Sequence, residues 1–182
     1  MSENGAEIQD EAPKLPTSPG QLLQRLEELG IQSKTVMHPP VFTVEEAKAL
    51  RGSLPGSHIK NLFLRNKKGA MWLVTCLEDR TVDLKALGGA LGAGRFSFGS
   101  ADRLMTYLGV LPGSVTPFAV VNDTGGAVTM VLDKGVLGND PVNAHPLVND
   151  MTTALEAADL IRFLEAEGHP PLMLDMDDLG AN

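Results

Sequence analysis

The apolar residues of the chain follow two spacings, and the first of them predicts helices. After Ser18 and Pro19, leucines recur every three or four residues on one helix face until Gly30 ends the pattern. An amphipathic helix is also expected over EAADLIRFLEAEG, with three residues facing inward: Leu160, Phe163 and Leu164. Similar start signals predict three shorter helices: Thr43 with Glu46 to near Gly52, Asp83 to Leu91, and Ser100 to Gly109.

Between these helices, the second spacing predicts strands. HIKNLFLRN and AMWLVTCLE, joined by a Lys-Lys-Gly turn, predict a β-hairpin, and PFAVVN and AVTMVLD around Asp-Thr-Gly-Gly predict another. IQSKTVM, RFSF, VNAHPLV and MTTAL complete the predicted strands. Because hairpins dominate and strands do not alternate regularly with helices, we expect an α+β domain with a mixed, largely antiparallel sheet and helices packed around it.

A chain of 182 residues suits one such domain. Residues 1–17 are acidic and rich in proline, which predicts a disordered tail; 18–168 would form the domain and 169–182 an acidic extension. The first residues lack the apolar core of a signal peptide, and no apolar run approaches the ~20 residues of a membrane helix. A lone cysteine adds to the expectation of a cytoplasmic protein without a membrane partner.

The net charge of −8 is unevenly distributed. Residues 1–20 carry −3 and residues 150–182 carry −7, so that the middle of the chain is left with +2. There the segment 58–69 holds four basic residues and no acid. This balance argues against DNA as a partner but permits a local basic patch, although Lys67 and Lys68 equally suit a solvated hairpin tip.

Several kinds of site are missing from the sequence. The four histidines show no metal spacing, so neither a metal nor another cofactor is expected. Cys76 lies in an apolar run, which favours a buried thiol over a nucleophile. The chain also lacks a G-x-S-x-G elbow, a P-loop lysine and a dinucleotide fingerprint.

Two polar residues interrupt the strand HIKNLFLRN. Pleating puts Lys60 and Asn61 on opposite faces, each among large apolar residues, and an interior ammonium is costly without a partner. Lys60 either reaches solvent at the edge of the sheet or awaits an anion such as a phosphate.

The loop LPGSVTP is stiff and uncharged. Pro112 and Pro117 fix φ at two points, and Gly113 permits unusual angles. The backbone N–H groups of Ser114, Val115 and Thr116 could therefore hold an oxyanion without a charged side chain, although a purely structural loop fits the residues as well.

These motifs together resemble one known family. VFTVEEA (41–47), HIKNLFLRNKKG (58–69), the helix start Asp83-Leu84-Lys85 and LPGSVTPFAVVND (111–123) are similar, in this order, to the YbaK/prolyl-tRNA synthetase-associated editing domain. The resemblance runs from about residue 21 to 167, and HPPVFT and NAHPLVNDMT look most like the free-standing members that remove alanine from tRNA(Pro).

The resemblance implies a hydrolase that clears alanine in trans from the acceptor end of tRNA(Pro). It assigns the aminoacyl end to the backbone of residues 113–117, the terminal adenosine to Lys60, and substrate positioning to Asn61 and His145. Because the aminoacyl ester is already reactive, a positioned water and oxyanion stabilisation would suffice for hydrolysis. His145 could equally be structural, and prolyl-tRNA synthetase or an elongation factor remains open as a transient partner.

Two alternatives stay open at this point. The same fold could edit tRNA charged with cysteine or serine, or it could bind tRNA ends or nucleotides without turnover.

Overall fold

The structure is a computed structural model, which describes residues 14–51 and 54–180. Its α-helices are α1 (Pro19–Glu28), α2 (Val44–Arg51), α3 (Leu84–Ala90), α4 (Ala101–Leu108) and α5 (Ala157–Ala166). Its strands are β1 (Lys34–Met37), β2 (Ser57–Arg65), β3 (Met71–Leu77), β4 (Ser97–Phe98), β5 (Val128–Asp133), β6 (Val142–Ala144), β7 (Met151–Leu155) and β8 (Leu172–Leu174). Three 3-10 helices span Pro117–Asn122, Lys134–Gly138 and Met176–Gly180.

The strands form one mixed sheet in the order β1-β7-β6-β2-β3-β5-β8, with β4 paired to β2. Four pairs are antiparallel (β1–β7, β6–β7, β2–β3 and β2–β4), and three are parallel (β2–β6, β3–β5 and β5–β8). The predicted α+β class with a mixed, mainly antiparallel sheet is confirmed.

The helix starts follow the predicted capping residues. The Ser18 side chain accepts a hydrogen bond from the Gln21 backbone at the start of α1, and Thr43 and Glu46 form the capping box of α2. Asp83 and Ser100 cap α3 and α4 in the same way. The expected end of α2 at Gly52 lies outside the described residues.

The second predicted hairpin is wrong. Residues 117–122 form a 3-10 helix instead of a strand, since Pro117 occupies its first turn and the Thr116 hydroxyl accepts from the Phe118 N–H. A short apolar run does not distinguish a buried strand from a buried helical turn. The turn that follows it leads into β5, which pairs in parallel with β3.

The predicted strand VNAHPLV is shorter than expected. Only Val142–Ala144 pair, and the chain then turns, with Leu147 buried at a φ of 70°. This early turn leaves His145 at the end of β6, where it borders the cavity described below.

Two apolar cores cover the two faces of the sheet. The larger includes Phe63 and Leu73 and receives α1, α4 and α5; the smaller includes Leu64, Val74 and Leu87. The inward residues predicted for α5 are all buried. Residues after Gly168 add β8 and the last 3-10 helix, whose Met176 is buried in the smaller core.

Among the helices of the described residues, none combines the length and apolar character that crossing a membrane requires.

Candidate functional site

A cavity opens where the sheet separates between β2 and β6. These strands pair in parallel over only two positions, Ser57 with Val142 and His58 with Asn143. Beyond that point β2 continues for seven residues while β6 ends at Ala144. The resulting gap has a volume of about 310 Å³, and β1 and α2 close its other sides.

One part of the cavity wall is apolar and the other is polar. The apolar residues come from β1, α2, β2, β6 and their connections: Val36, Met37, Val41, Ala47, Leu50, Leu54, Ile59 and Ala144. The polar residues are His38, His58, Asn61, Glu78, Asn143, His145 and Thr152. Such a cavity can hold a small aliphatic group while hydrogen-bonding the polar atoms attached to it.

His145 presents a neutral imidazole to this cavity. Its Nδ1 lies 2.9 Å from the Met151 carbonyl, which can only accept, so that Nδ1 carries the proton. Burial lowers the pKa of His145 and outweighs the raising effect of this bond, which keeps the ring uncharged at neutral pH. Nε2 makes no hydrogen bond to any described residue, so its lone pair is available to a substrate or a water molecule.

His38 lies on the other side of the cavity, with its ring centroid 6.2 Å from that of His145. Its Nδ1–H donates to the Pro39 carbonyl at 2.8 Å, and its Nε2 is hydrogen-bonded to the Thr152 hydroxyl at 2.8 Å. Both nitrogens of His38 are thus engaged, which fixes the ring as part of the wall.

Asn61 connects the cavity to the loop 111–117. Its amide nitrogen donates to the Val115 carbonyl at 3.0 Å, and its oxygen accepts from the Thr75 hydroxyl at 2.6 Å. The loop therefore lies beside the cavity, held against β2 through Asn61, although none of residues 113–117 lines the wall.

The backbone of this loop is left-handed at one position, which glycine adopts without strain. Gly113 has a φ of +87°, and a β-carbon there would lie 3.1 Å from Cδ1 of Phe42. The Ser114 N–H donates to the Leu111 carbonyl at 3.0 Å, which engages one amide of the predicted arc within the loop itself. Ser114 and Thr116 are buried.

Lys60 is not brought to the cavity. It lies on the opposite face of β2, paired in register with Cys76, and its ammonium donates to the Arg80 carbonyl. Burial raises the pKa of the Cys76 thiol to about 11, an effect that the Lys60 charge opposes, so this cysteine is a buried thiol rather than a nucleophile. The structure thus groups Asn61 and His145 at the cavity, with the loop beside them and Lys60 behind the strand.

Several residues of the wall were not predicted as site residues from the sequence, notably His38, Asn143 and Thr152. The one sequence signal for His38 was its position, directly before two prolines at the end of a predicted strand. In residues 14–51 and 54–180, no three histidine, cysteine or acidic side chains lie close enough together to hold a metal ion.

Residues 38–163 match the model of a protein family described as the aminoacyl-tRNA editing domain. The chain belongs to this family. The match spans the loop 111–117, most of α5 and the cavity wall except its β1 residues Val36 and Met37.

Similar sequences support this family assignment, and a similar solved structure supports the fold. The prolyl-tRNA synthetase associated domain-containing protein 1 of Mus musculus is 41% identical over 162 residues, which cover 86% of this chain and 95% of the relative. The prolyl-tRNA editing protein ProX of Acetoanaerobium sticklandii is 38% identical over 149 residues, with 81% and 91% covered. A crystal structure described as that of a candidate trans-editing enzyme for prolyl-tRNA synthetase superposes with a TM-score of 0.68 at 21% identity, covers 87% of this chain and 96% of its own, and supports the fold.

Family membership makes the protein an aminoacyl-tRNA deacylase, a hydrolase that acts on the ester of a mischarged tRNA. The alternative of a tRNA-end binding module without turnover is thereby removed.

Proposed function

We propose that this editing domain hydrolyses alanine from mischarged tRNA(Pro), acting in trans on tRNA that a prolyl-tRNA synthetase has released. The observation that carries the proposal is the cavity between β2 and β6, which is small, apolar on one side, and edged by Asn61 and neutral His145. The names of the relatives, a prolyl-tRNA editing protein and a prolyl-tRNA synthetase associated domain protein, support proline as the cognate amino acid.

The amino acid specificity follows from size. A synthetase pocket built for proline rejects the smaller alanine poorly, because the missing apolar bulk changes binding by only about 1–3 kcal/mol. A second site that admits alanine and excludes the proline ring corrects this error. The apolar wall formed by Ile59, Ala47 and their neighbours would surround the alanine methyl group.

The reaction needs one water molecule. Its oxygen adds to the ester carbonyl carbon, the bond from that carbon to the ribose oxygen breaks, and a water proton ends on the ribose oxygen; the products are alanine and tRNA with a free terminal hydroxyl. The Nε2 lone pair of His145 would accept a hydrogen bond from the attacking water or from the substrate's amino group. The side chain of Asn61, held by Val115 and Thr75, would orient the substrate.

For the loop 113–117 and Lys60, we propose the roles that were expected from the sequence. The backbone of residues 113–117 would stabilise the oxyanion, with Gly113 keeping the loop in its left-handed turn. Lys60 would bind the phosphate or ribose region of the terminal adenosine. To do so, its ammonium would have to release the Arg80 carbonyl and bind the nucleotide instead.

The test is single-turnover deacylation of tRNA(Pro) charged in turn with alanine, proline, cysteine and serine. We expect alanine to be released far faster than proline. Preferred release of cysteine or serine would assign the chain to another specificity within the same family, and equal release of alanine and proline would contradict selection by size.

A further inference from the structure

A buried ion pair lies behind β2, on the face of the sheet that carries Lys60. Asp133 ends β5 and is fully buried, and its carboxylate accepts a hydrogen bond from Nε of Arg80. The same carboxylate accepts from the backbone N–H of Gly135 at 3.0 Å. Because a buried carboxylate is costly without partners, these two bonds hold Asp133 and Arg80 together in one arrangement.

Arg80 connects this pair to Lys60. It follows the turn after β3, where its N–H donates to the Leu77 carbonyl at 3.1 Å. Its guanidinium holds Asp133 through one nitrogen and, through another, Asp177 of the C-terminal 3-10 helix at 2.6 Å. Its backbone carbonyl accepts from the Lys60 ammonium. The position of that carbonyl, and with it the position of Lys60, therefore depends on how the guanidinium is held.

The arrangement is closely packed. The Arg80 side chain is only 17% exposed. A β-carbon on Gly135 would lie 2.6 Å from Nη2 of Arg80, so that a larger residue there would displace the guanidinium. The pair is thus a fixed anchor within the fold, unlike ion pairs of the open surface, whose geometry and contribution to stability are weak.

Lys60 is held by this anchor and by no carboxylate. Among the described residues, its one hydrogen-bond partner is the Arg80 carbonyl, so its charge stays available to an anion. A lysine side chain is flexible, and fixing it on a ligand costs conformational entropy. A carbonyl that holds the ammonium in place before the nucleotide arrives reduces this cost.

We propose that Asp133 and Arg80 are positioning residues for Lys60: the buried pair fixes the residue 80 carbonyl, and this carbonyl keeps the ammonium where it can transfer to the terminal nucleotide. This rests on the proposed function for the contact between Lys60 and the nucleotide. Neither Asp133 nor Arg80 lines the cavity, so both act through Lys60. Asp177 supports the anchor from the C-terminal segment.

The experiment measures the affinity of the protein for uncharged tRNA(Pro) with and without its terminal adenosine nucleotide. The ratio of the two affinities isolates the contact to that nucleotide, whereas a general structural defect weakens both and leaves the ratio unchanged. We expect Lys60→Ala to lower the ratio roughly tenfold, as for one hydrogen bond from a charged group, and Asp133→Asn to lower it about fivefold. The double variant should lose no more than Lys60→Ala alone, because both changes act on one contact.

The matched control is Glu167→Gln, which removes the carboxylate that Arg25 of α1 binds at 2.6 Å and should keep the wild-type ratio. Arg80→Lys is the second test variant. It keeps the charge and the backbone carbonyl but lacks the fork that holds Asp133 and Asp177 together, so it should lower the ratio less than Asp133→Asn does. Melting curves show which variants fold, and Arg80→Lys decides the question if Asp133→Asn does not.

Three results would overturn the proposal: a wild-type ratio in the folded test variant, an equal fall in the control, or a double variant whose loss is the product of the two single losses. A wild-type ratio in Lys60→Ala would overturn it too, because Lys60 would then make no contact with the nucleotide. These measurements do not depend on hydrolysis. A wild type that deacylates no charged tRNA(Pro) would contradict the proposed function, while the ratios would still decide the role of the buried pair.

Discussion

His145 and Asn61 share the cavity, but they are held in different ways. The Asn61 side chain has protein partners for both its nitrogen and its oxygen, whereas His145 keeps Nε2 without a partner among the described residues. His145 is thus the polar residue of the pair that can change its hydrogen bonding when substrate enters, and its neutral state decides whether it can accept.

Replacing this acceptor should impair catalysis. We expect His145→Gln to lower the single-turnover rate by about 10²-fold, the lower end of the range for a positioned proton acceptor. In the wild type the rate should stay level from pH 8 to about 6.5 and fall only in more acidic solution, because burial lowers the His145 pKa below its ordinary 6.5. A wild-type rate in the variant would show that His145 is structural.

The same pKa shift has a consequence for stability. Below pH 6.5 the unfolded chain takes up a proton on His145 that the folded chain binds less readily, so the free energy of unfolding decreases as the pH falls through this value. His145→Gln should therefore show a flatter dependence of melting temperature on pH between 7.5 and 5.5. An equally steep dependence in the variant would mean that His145 is not buried in its neutral form.

Lys60 requires a test that separates chemistry from folding. Lys60→Ala removes the bond from the ammonium to the Arg80 carbonyl, which should cost about 1 kcal/mol, and it removes the proposed contact to the terminal nucleotide. We expect deacylation to fall at least 100-fold with only a small shift in melting temperature. A variant that melts earlier but deacylates at the wild-type rate would make Lys60 a structural partner of the residue 80 carbonyl alone.

At the scale of single elements, substitutions in the loop 111–117 can test the role of its side chains and the role of its backbone separately. Gly113→Val places a β-branched residue at a φ of +87° and against Phe42, which should cost about 1–3 kcal/mol and displace the loop. Ser114→Ala keeps every amide and should retain most of the activity. Single-turnover rates and melting curves of both variants provide the measurement, and abolished turnover in Ser114→Ala with Gly113→Val tolerated would mean that a hydroxyl carries the chemistry.

The elements also show what the sequence can and cannot predict. Caps such as Ser18 and Asp83 act on neighbouring backbone, so α1 and α3 followed from local pattern. Residues 117–122 were misassigned because burial on all sides removes the periodicity that distinguishes strand from helix.

The candidate site was predictable only in part for a related reason. Asn61 and His145 were identified through the family resemblance, and both line the cavity. His38 and Thr152 form part of the same wall through a hydrogen bond across 114 positions of sequence, a separation that no local pattern encodes. Lys60 lies behind β2 because the cavity opens on the other face of this strand. The position of the cavity is set by where β6 ends, which the local sequence around Lys60 does not indicate.

At the scale of the whole molecule, the C-terminal residues are integrated into the fold. The His169 ring lies between the Asp123 carboxylate, at 2.8 Å, and the Glu167 carbonyl, at 2.9 Å, and Asp177 pairs with Arg80. His169 and Asp123 are both buried, so this hydrogen bond ties the C-terminal residues to the turn before β5.

Truncation after Gly168 should therefore destabilise the protein strongly. The loss of His169 removes one hydrogen bond to the buried Asp123 carboxylate, worth about 1.5–3 kcal/mol, and β8 and the buried Met176 are lost with it. Thermal melting of the chain 1–168 against the full chain is the measurement, and equal melting temperatures would show that residues 169–182 are a dispensable extension.

We propose that the cavity between β2 and β6 receives the alanine side chain of the substrate, and added bulk in its wall tests this directly. Ala47→Leu adds bulk inside its wall from α2, whereas Ala49→Leu adds the same bulk on an exposed position of the same helix. Single-turnover deacylation of Ala-tRNA(Pro) by both variants and the wild type is the measurement. We predict at least a tenfold loss for Ala47→Leu and a wild-type rate for Ala49→Leu; equal rates for all three proteins would contradict the assignment of this cavity as the site.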